Sequence, residues 1–352
     1  MRRCLVTGGS GFLGRHLIDG LLSKKDPDVQ IAVFDIRPYE HHVTAQGENI
    51  ECFTGTITKL GDVLQACRDI DVVFHCATAN PLDNHNEALM WSVNIEGTKN
   101  IIEACKQCNV SKLVYVSSAS VVYDGSPMLN VDETQPYPSR FTDFYSMTKA
   151  KAEQAVLEAN RNTLATCSLR PSSIFGERDP AYVPSLIESG KKGKTKYMIG
   201  NGKTKWEFTY VGNVVDACLR AADNLEPGSP IAGNAYFITN DETFLFWEHA
   251  SIILEGLGYP KPSVRLPMAL CFVLAAILEF FLLLLSPFYK PKKPPVFTRQ
   301  KVKLLTTDRV ISCEKAKRDL GYKPSVSMQE GTMRTIDYFR NYDSSAKPSK
   351  KE

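Results

Sequence analysis

Tyr145-Ser146-Met147-Thr148-Lys149 sets a phenol and an ammonium four residues apart, which on a helix places both on one face. A free tyrosine titrates near pH 10, so only about one in a thousand is ionised at neutral pH. An ammonium within several ångströms would lower that pKa by roughly one to three pH units. The phenolate is then a usable base, able to take an alcohol proton while hydride leaves for an acceptor. Ser118, in Ser117-Ser118-Ala119-Ser120, ends an apolar run and could hydrogen-bond the reacting oxygen. Such a trio oxidises or reduces a carbon bearing a hydroxyl or carbonyl group. Taken alone, the same spacing is equally a pair on a solvated helix. Its place in the chain is what gives it weight.

A hydride acceptor is implied upstream. Thr7-Gly8-Gly9-Ser10-Gly11-Phe12-Leu13-Gly14 follows one apolar run and opens a helical pattern. Gly8 permits a tight turn, Gly11 a close approach of backbone to pyrophosphate, and Gly14 close packing of helix on strand. The helix start adds unpaired N–H groups and positive dipole. Asp35 ends the second run, Val33-Phe34-Asp35, where a carboxylate accepts from both ribose hydroxyls and repels a 2′-phosphate. Arg37 nearby could accommodate that phosphate, so NADP stays open; NAD is the preferred reading.

These groups need a frame. Apolar runs at 4–7, 31–35, 51–55, 72–76, 112–116 and 165–169 are separated by stretches long enough for crossover helices, such as 11–23 and 87–107. Continuous β-branched runs suit strands buried on both faces of a parallel sheet. The alternation predicts an α/β, doubly wound (Rossmann) fold over residues 1–170, with later residues completing part of the sheet. From 171 the texture turns richer in Pro and Gly, which suggests a smaller substrate-binding region at 171–266, resumed at 306–340. The tail 344–352 is polar and Lys-rich, with the composition of a disordered end.

Bulk composition excludes several classes. A chain of 352 residues, 43% hydrophobic and 23% charged, has ample core and is not disordered. A net charge of +3, without zinc-finger or RNP motifs, gives no reason to expect nucleic acid, and no metal is expected. The ten cysteines lie mostly in apolar runs, as small hydrophobes do, and Cys105 and Cys108 read as a helix-end pair rather than a redox couple. Only Met1, Arg2 and Arg3 precede the first run, so no cleaved signal is expected, and the active domain should face a reducing, cytosolic-type space.

TGGSGFLG, FHCA (residues 74–77), Val93-Asn94-Ile95-Glu96-Gly97-Thr98, YVSSAS, YSMTK, LRPSSIFG (169–176) and FTYVGNV (208–214) occur in an order that resembles the extended short-chain dehydrogenase/reductase family over nearly the whole chain. RPSSIFGERD, VPSLIESGKKGK, MIGNGK and YFITNDETFLFWE narrow the likeness to the 3β-hydroxysteroid dehydrogenase group. Within it, the chain is most similar to the decarboxylating sterol-4α-carboxylate 3-dehydrogenases. The resemblance implies Tyr145 as general base, Lys149 as ribose ligand and pKa modulator, and Ser118 as donor to the substrate oxygen. It implies cofactor contacts at Gly8, Gly11, Phe12, Leu13, Gly14, Asp35, Arg37, Ala77, Asn94, Tyr145, Lys149, Pro171 and Ser173. Thr56 departs from the pattern, standing where relatives carry an adenine-contacting Asp, so backbone groups would replace that contact. The implied reaction oxidises a sterol 3β-hydroxyl with NAD and releases the carbon-4 carboxylate as carbon dioxide. A 3β-hydroxysteroid dehydrogenase without decarboxylation, a nucleotide-sugar epimerase or reductase, and a non-catalytic NAD sensor are the alternatives. A homodimer and other sterol-demethylation enzymes are the implied protein partners.

Met268–Leu285 is apolar apart from Glu279. As one helix of 18 residues it would run about 27 Å, barely the thickness of a hydrocarbon core. Lys290, Lys292 and Lys293 follow it. A core helix is the plainer alternative. Because Ser312–Pro324 resembles the family's C-terminal element, both ends of the segment should lie on one side of a membrane. The expectation is therefore a re-entrant or interfacial anchor across 267–289, flanked by Pro267 and Pro287, against the endoplasmic reticulum with the catalytic domain facing the cytosol. The run Lys191-Lys192-Gly193-Lys194-Thr195-Lys196 could add contacts to anionic headgroups.

Overall fold

Strands buried on both faces are what the apolar runs demand, and the computed structural model, which describes residues 3–24, 26, 28–40, 50–79, 86–285 and 297–345, builds them into one parallel sheet. The first half contains β1 (Arg3–Thr7), α1 (Phe12–Ser23), β2 (Gln30–Asp35), β3 (Ile50–Thr54), α2 (Leu60–Ala66) and β4 (Val72–His75). Then come α3 (Glu87–Met90), a π-helical turn at Trp91–Gly97, α4 (Thr98–Gln107), β5 (Lys112–Val116), β6 (Met128–Val131), α5 (Phe144–Glu158) and β7 (Ala165–Pro171). The second half begins with β8 (Ile174–Phe175), α6 (Tyr182–Lys191), β9 (Tyr197–Ile199), β10 (Lys205–Glu207) and β11 (Thr209–Tyr210). It continues with α7 (Val211–Asn224), β12 (Asn234–Ile238), β13 (Thr243–Leu245), α8 (Phe246–Gly256) and β14 (Val264–Leu266). It ends with α9 (Met268–Leu285), α10 (Arg299–Thr306), β15 (Arg309–Ile311), α11 (Glu314–Leu320) and α12 (Met328–Ser345).

The large sheet has the order β12-β7-β5-β4-β1-β2-β3. Side chains alternate between its faces. Val6, Val33, Phe74, Val114 and Leu169 meet α1 and α7 on one side, while Leu5, Phe34, Val73, Leu113 and Tyr115 meet α2, α4 and α5 on the other. The seventh strand and α7 come from residues 211–238, inside the stretch read as substrate-binding, so the chain returns to the nucleotide-type sheet after leaving it. The order of strands reverses between β1 and β4, and in such sheets ligands bind at the carboxyl ends of those two strands.

A second, four-stranded sheet, β13-β10-β15-β6, joins three strands of the later residues to β6 of the first half. Helix α9 stands apart from both sheets. Among its residues only Cys271 and Ala275 are buried, packed on Val302 of α10 with Ile199, Leu266 and Phe297 at its root. Helix α12 runs to Ser345, two residues into the stretch whose composition suggests a disordered tail; residues 346–352, Pro287 and Lys290, Lys292 and Lys293 lie outside the described residues.

Candidate active site

The glycine loop lies at the reversal point. Gly8 has φ +70°, and a Cβ there would meet the Ala77 backbone at 2.8 Å, so the turn after β1 fits against the exit of β4 only as glycine. A Cβ on Gly14 would stand 2.2 Å from the Gly8 carbonyl oxygen, so α1 can lie this close to the loop only without a side chain. The Gly8 amide donates to the Phe34 carbonyl at 2.8 Å and the Gly11 amide to the Gly8 carbonyl at 2.9 Å. No side chain caps α1, whose first turn includes Phe12 and Leu13; its leading N–H groups are left for an anion. Asp35 accepts from the Ser10 amide at 3.0 Å through one oxygen and from the Arg37 amide at 3.0 Å through the other, which fixes the carboxylate at the strand end. Arg37 turns back, donating to the Ser10 carbonyl at 3.0 Å with its Nε 3.6 Å from Asp35. The cradle, uncapped helix and oriented acid fit a dinucleotide. Thr56 donates its amide to Asp62 of α2 at 3.0 Å, and its hydroxyl lies 2.9 Å from that of Thr58 and accepts from the Thr58 amide at 3.3 Å.

Tyr145, Lys149 and Glu153 follow one another at intervals of four along α5, which begins at Asp143, whose side chain accepts from the Ser146 amide. Lys149 is 2% exposed; its Nζ donates to the Val116 carbonyl at 2.7 Å and lies 4.2 Å from the centroid of the Tyr115 ring. Val116 ends β5, so the same contact anchors the lysine beside Ser118. The Ser118 hydroxyl accepts from the Ser120 amide at 3.2 Å and lies 2.9 Å from the Ser120 hydroxyl, capping the short turn Ala119–Val122. Tyr145, Lys149 and Ser118 are thus gathered at the carboxyl end of β5.

One expectation about them is corrected. Lys149 does not lower the Tyr145 pKa: burial, reinforced by the Asp143 charge and partly offset by a hydrogen bond with Thr78, pushes the phenol up to about 12. Burial likewise pulls the Lys149 ammonium down to about 7 against the opposing fields of Glu153 and Cys76. In both groups desolvation is the largest influence, and it works against the charged form.

Asn94, expected among the cofactor contacts, is spent on the protein. Its Oδ1 accepts from the Ala79 amide at 2.9 Å and the Thr78 hydroxyl at 3.0 Å, and its Nδ2 donates to Thr148 at 3.0 Å. The π-helical turn brings it there, binding the exit of β4 to the α5 turn between Tyr145 and Lys149. Beneath it His75 lies 2.8 Å from the Thr7 hydroxyl and 3.0 Å from that of Thr98, which donates to the Asn94 carbonyl at 2.6 Å. Burial brings His75 down to about 3, so this bridge between glycine loop and π-turn is uncharged. Pro171 is buried at the end of β7, and Ser173 beyond it holds φ +33°, a left-handed conformation rare outside glycine.

Residue spacing alone does not identify Arg170. It donates to Glu153 through Nε at 3.0 Å and Nη2 at 2.7 Å, while the Ser168 and Tyr137 hydroxyls each donate to the same carboxylate at 2.7 Å. Burial would raise the Glu153 pKa, but the guanidinium and the hydroxyls outweigh it and hold the carboxyl below its ordinary value. The i, i+4 step from Lys149 marks Glu153 as facing the same way; its partner comes from a strand and leaves no local pattern.

Known proteins resemble this chain in sequence and in fold. Residues 5–268 match the 3-beta hydroxysteroid dehydrogenase/isomerase family. The chain is 41% identical to 3beta-hydroxysteroid-dehydrogenase/decarboxylase isoform 1 of Arabidopsis thaliana, an alignment covering 99% of this chain and 82% of that one. It is 40% identical to the mouse sterol-4-alpha-carboxylate 3-dehydrogenase, decarboxylating, over 97% of this chain and 91% of that one. The fold is shared with a solved UDP-glucose 4-epimerase of Thermus thermophilus in complex with NAD, at TM-score 0.71 and 24% identity over 96% of this chain and 99% of that one. With its sheet, glycine cradle and Tyr145/Lys149 face, the chain belongs to the 3-beta hydroxysteroid dehydrogenase/isomerase family.

Proposed function

We propose that the chain oxidises the 3β-hydroxyl of a 4α-carboxysterol, using NAD, with loss of the carbon-4 carboxylate as carbon dioxide in sterol biosynthesis. The observation that carries the reading is the joining of Tyr145, Lys149 and Ser118 at the end of β5, beside an uncapped α1 and an oriented Asp35, in a chain about 40% identical to decarboxylating sterol dehydrogenases. NAD, held by the loop Gly8–Gly14, Asp35 and the backbone near Ala77, Pro171 and Ser173, supplies the hydride acceptor when bound. Asp35 disfavours a 2′-phosphate, and Arg37, committed to the Ser10 carbonyl, does not stand free to welcome one. Ser118 donates to the substrate oxygen. Tyr145 Oη takes the hydroxyl proton as its own phenolic proton passes on, and Lys149, whose ammonium burial pulls down to about 7, is the group on its helix face that can receive it. The ketone formed at carbon 3 lies β to the carboxylate, so the carbon–carbon bond electrons flow to that carbonyl as carbon dioxide leaves, and the resulting enol takes a proton at carbon 4. No metal is needed for either step.

Purified protein incubated with a 4α-carboxysterol and NAD should release NADH and carbon dioxide in equal amounts. NADH without carbon dioxide would replace the reading with a plain 3β-dehydrogenase.

Attachment to a membrane surface belongs to the same proposal. Helix α9 has mean hydropathy 2.8 and is 11% buried, while the chain leaves the domain at Leu266 and is back against α9 by Arg299. Both flanks on one body favour a re-entrant or interfacial anchor over a single crossing. The basic run ends at Lys196, whose carbonyl accepts from Ser263 and Val264 at the start of β14, so these lysines sit beside the root of α9 and suit anionic headgroups. The endoplasmic reticulum, with the domain in the cytosol, is the setting this implies; a homodimer and neighbouring sterol-demethylation enzymes rest on kinship alone. Protease added to intact microsomes should cut on both flanks of α9; protection of one flank would mean a full crossing.

A further inference from the structure

Among the described residues, two guanidiniums set into the protein, Arg170 and Arg309, are stacked on aromatic rings, and of the two only Arg170 has an acid. Arg170 lies 5.5 Å from the Tyr137 ring centroid and 5.3 Å from that of Phe237, and is paired with Glu153. Arg309 lies 3.9 Å from the Tyr123 ring centroid and 5.3 Å from that of Trp206, and among the described residues no acid forms an ion pair with it. Burial accordingly lowers its pKa from the ordinary value, with Tyr123 and the more distant Asp143 opposing.

Arg309 opens β15 and is in register with Trp206 of β10 and Met128 of β6. Tyr123 closes the turn that Ser118 caps. Asp143, two residues before Tyr145, exerts its field on both Arg309 and Tyr145. The cation therefore belongs to the same neighbourhood as the reacting groups, at the smaller sheet. Two donor atoms are buried there without a partner, Arg309 Nε and Trp206 Nε1, while the Tyr123 hydroxyl is turned to the Arg309 guanidinium. Buried donors are almost always satisfied in folded proteins, so two together, one of them on a cation without an acid, call for an acceptor from outside the chain. A carboxylate matches them in charge and in its two planar oxygens.

We propose that Arg309, aided by Trp206 Nε1, binds the carboxylate of the substrate while Ser118 and Tyr145 hold the neighbouring hydroxyl. The inference rests on the reading of the substrate as a 4α-carboxysterol and adds the group that selects for the acid. Arg309 touches no reacting hydrogen; it sets affinity for the acid and leaves hydride transfer to Tyr145.

The test uses the full chain, wild type, Arg309→Met and Arg309→Lys, with the 4α-carboxysterol and its analogue bearing methyl in place of carboxyl. Arg309→Met should raise KM for the acid roughly 10- to 100-fold, the loss of a charge-assisted hydrogen bond. KM for the methyl analogue should move less than about twofold, the carbon dioxide to NADH ratio should stay at one, and Arg309→Lys should recover part of the loss. Equal losses on both substrates, as from a damaged fold, or no loss on the acid would overturn the assignment. Wild-type protein that oxidises the methyl analogue but not the acid would instead sink the substrate reading, and this inference with it.

Discussion

Helix α9 and the strands of the large sheet draw on the same side chains and treat them oppositely. Val6, Val33 and Phe74 are at most 1% exposed between two layers of helices, whereas Leu283 is 70% exposed and Phe280 57%. In the sheet the chain covers its own apolar surface; on α9 it leaves that surface exposed. Apolarity therefore specifies burial but not by what, and a contiguous exposed apolar surface of this kind marks an interaction site. The polar groups differ in parallel. Glu153 is enclosed by four donors, while Glu279 among the described residues meets only Arg299, at the surface.

The contrast breaks most visibly if α9 is made polar. Leu274→Ser, Leu278→Ser and Phe281→Ser together should weaken binding to vesicles by roughly 1.5–3 kcal/mol per side chain, measured by flotation. Thermal stability in detergent should barely move, because those side chains already face out. A buried counterpart should do the reverse. Leu113→Ala in β5 should cost about 2–5 kcal/mol of folding stability and leave flotation unchanged. If the triple variant unfolds in detergent, α9 is a core helix and the comparison is wrong.

Within the sheet-borne site, Tyr145→Phe separates chemistry from packing. Turnover should fall about 10²–10⁴-fold while NAD binding and melting temperature stay near wild type. Substantial residual turnover would remove Tyr145 from its role. Two steps along the same helix face, Glu153→Ala should do the opposite. It strands the Arg170 cation and should cost about 3–5 kcal/mol in denaturant titration, since breaking a buried pair leaves an uncompensated charge.

What was legible in the sequence follows the same division. Six of the seven strands of the first half, all but β6, are visible as apolar runs, and Gly8, Gly14, Asp35, Tyr145 and Lys149 as local spacings, because each depends on neighbours within a few residues. β12 was not placed: nothing in Asn234–Ile238 says that it pairs with β7 rather than with a strand of its own region. Glu153 finding Arg170, and Trp206 finding Arg309, are cross-strand or helix–strand encounters that only the fold creates. The direction of the Tyr145 shift was misread for a related reason. Spacing shows that a charge is near, but desolvation is set by everything packed around the pair. The role of Asn94 required the π-helical turn, which no hydrophobic period announces.

A smaller effect tests a buried acid without a cation. Burial, with the fields of Asp241 and Glu242, raises the Glu207 pKa to about 7 against the Thr243 hydrogen bond, and its Oε2 has no partner. A carboxyl whose folded pKa is raised gives stability that is fully present below the unfolded value near 4.5 and lost as pH rises through about 7. Glu207→Gln keeps a neutral side chain at every pH. It should therefore match wild type near pH 4.5 and exceed it above pH 7, by on the order of 1–3 kcal/mol in melting experiments. An advantage over wild type no larger at pH 8 than at pH 5 would mean that Glu207 finds a partner in solution.

The smallest effect bears on how deep α9 lies. Glu279 is the twelfth residue of α9, about 17 Å along its axis, and both its oxygens meet Arg299, the first residue of α10, with the Arg299 amide donating at 2.8 Å. A surface pair of this kind contributes about 0–1 kcal/mol, so Glu279→Gln should cost less than about 1 kcal/mol in detergent. Were the pair held in hydrocarbon, removing one charge would strand the other, and the cost in vesicles would rise to about 3–5 kcal/mol. At the interface, water and headgroups solvate whichever charge remains, and the two costs stay nearly equal. Near-equality is the expected outcome, read from thermal denaturation of the same variant in detergent and on vesicles. A cost several times larger on vesicles would place the middle of α9 inside the bilayer, and the chain would then have to bring Arg299 in with it.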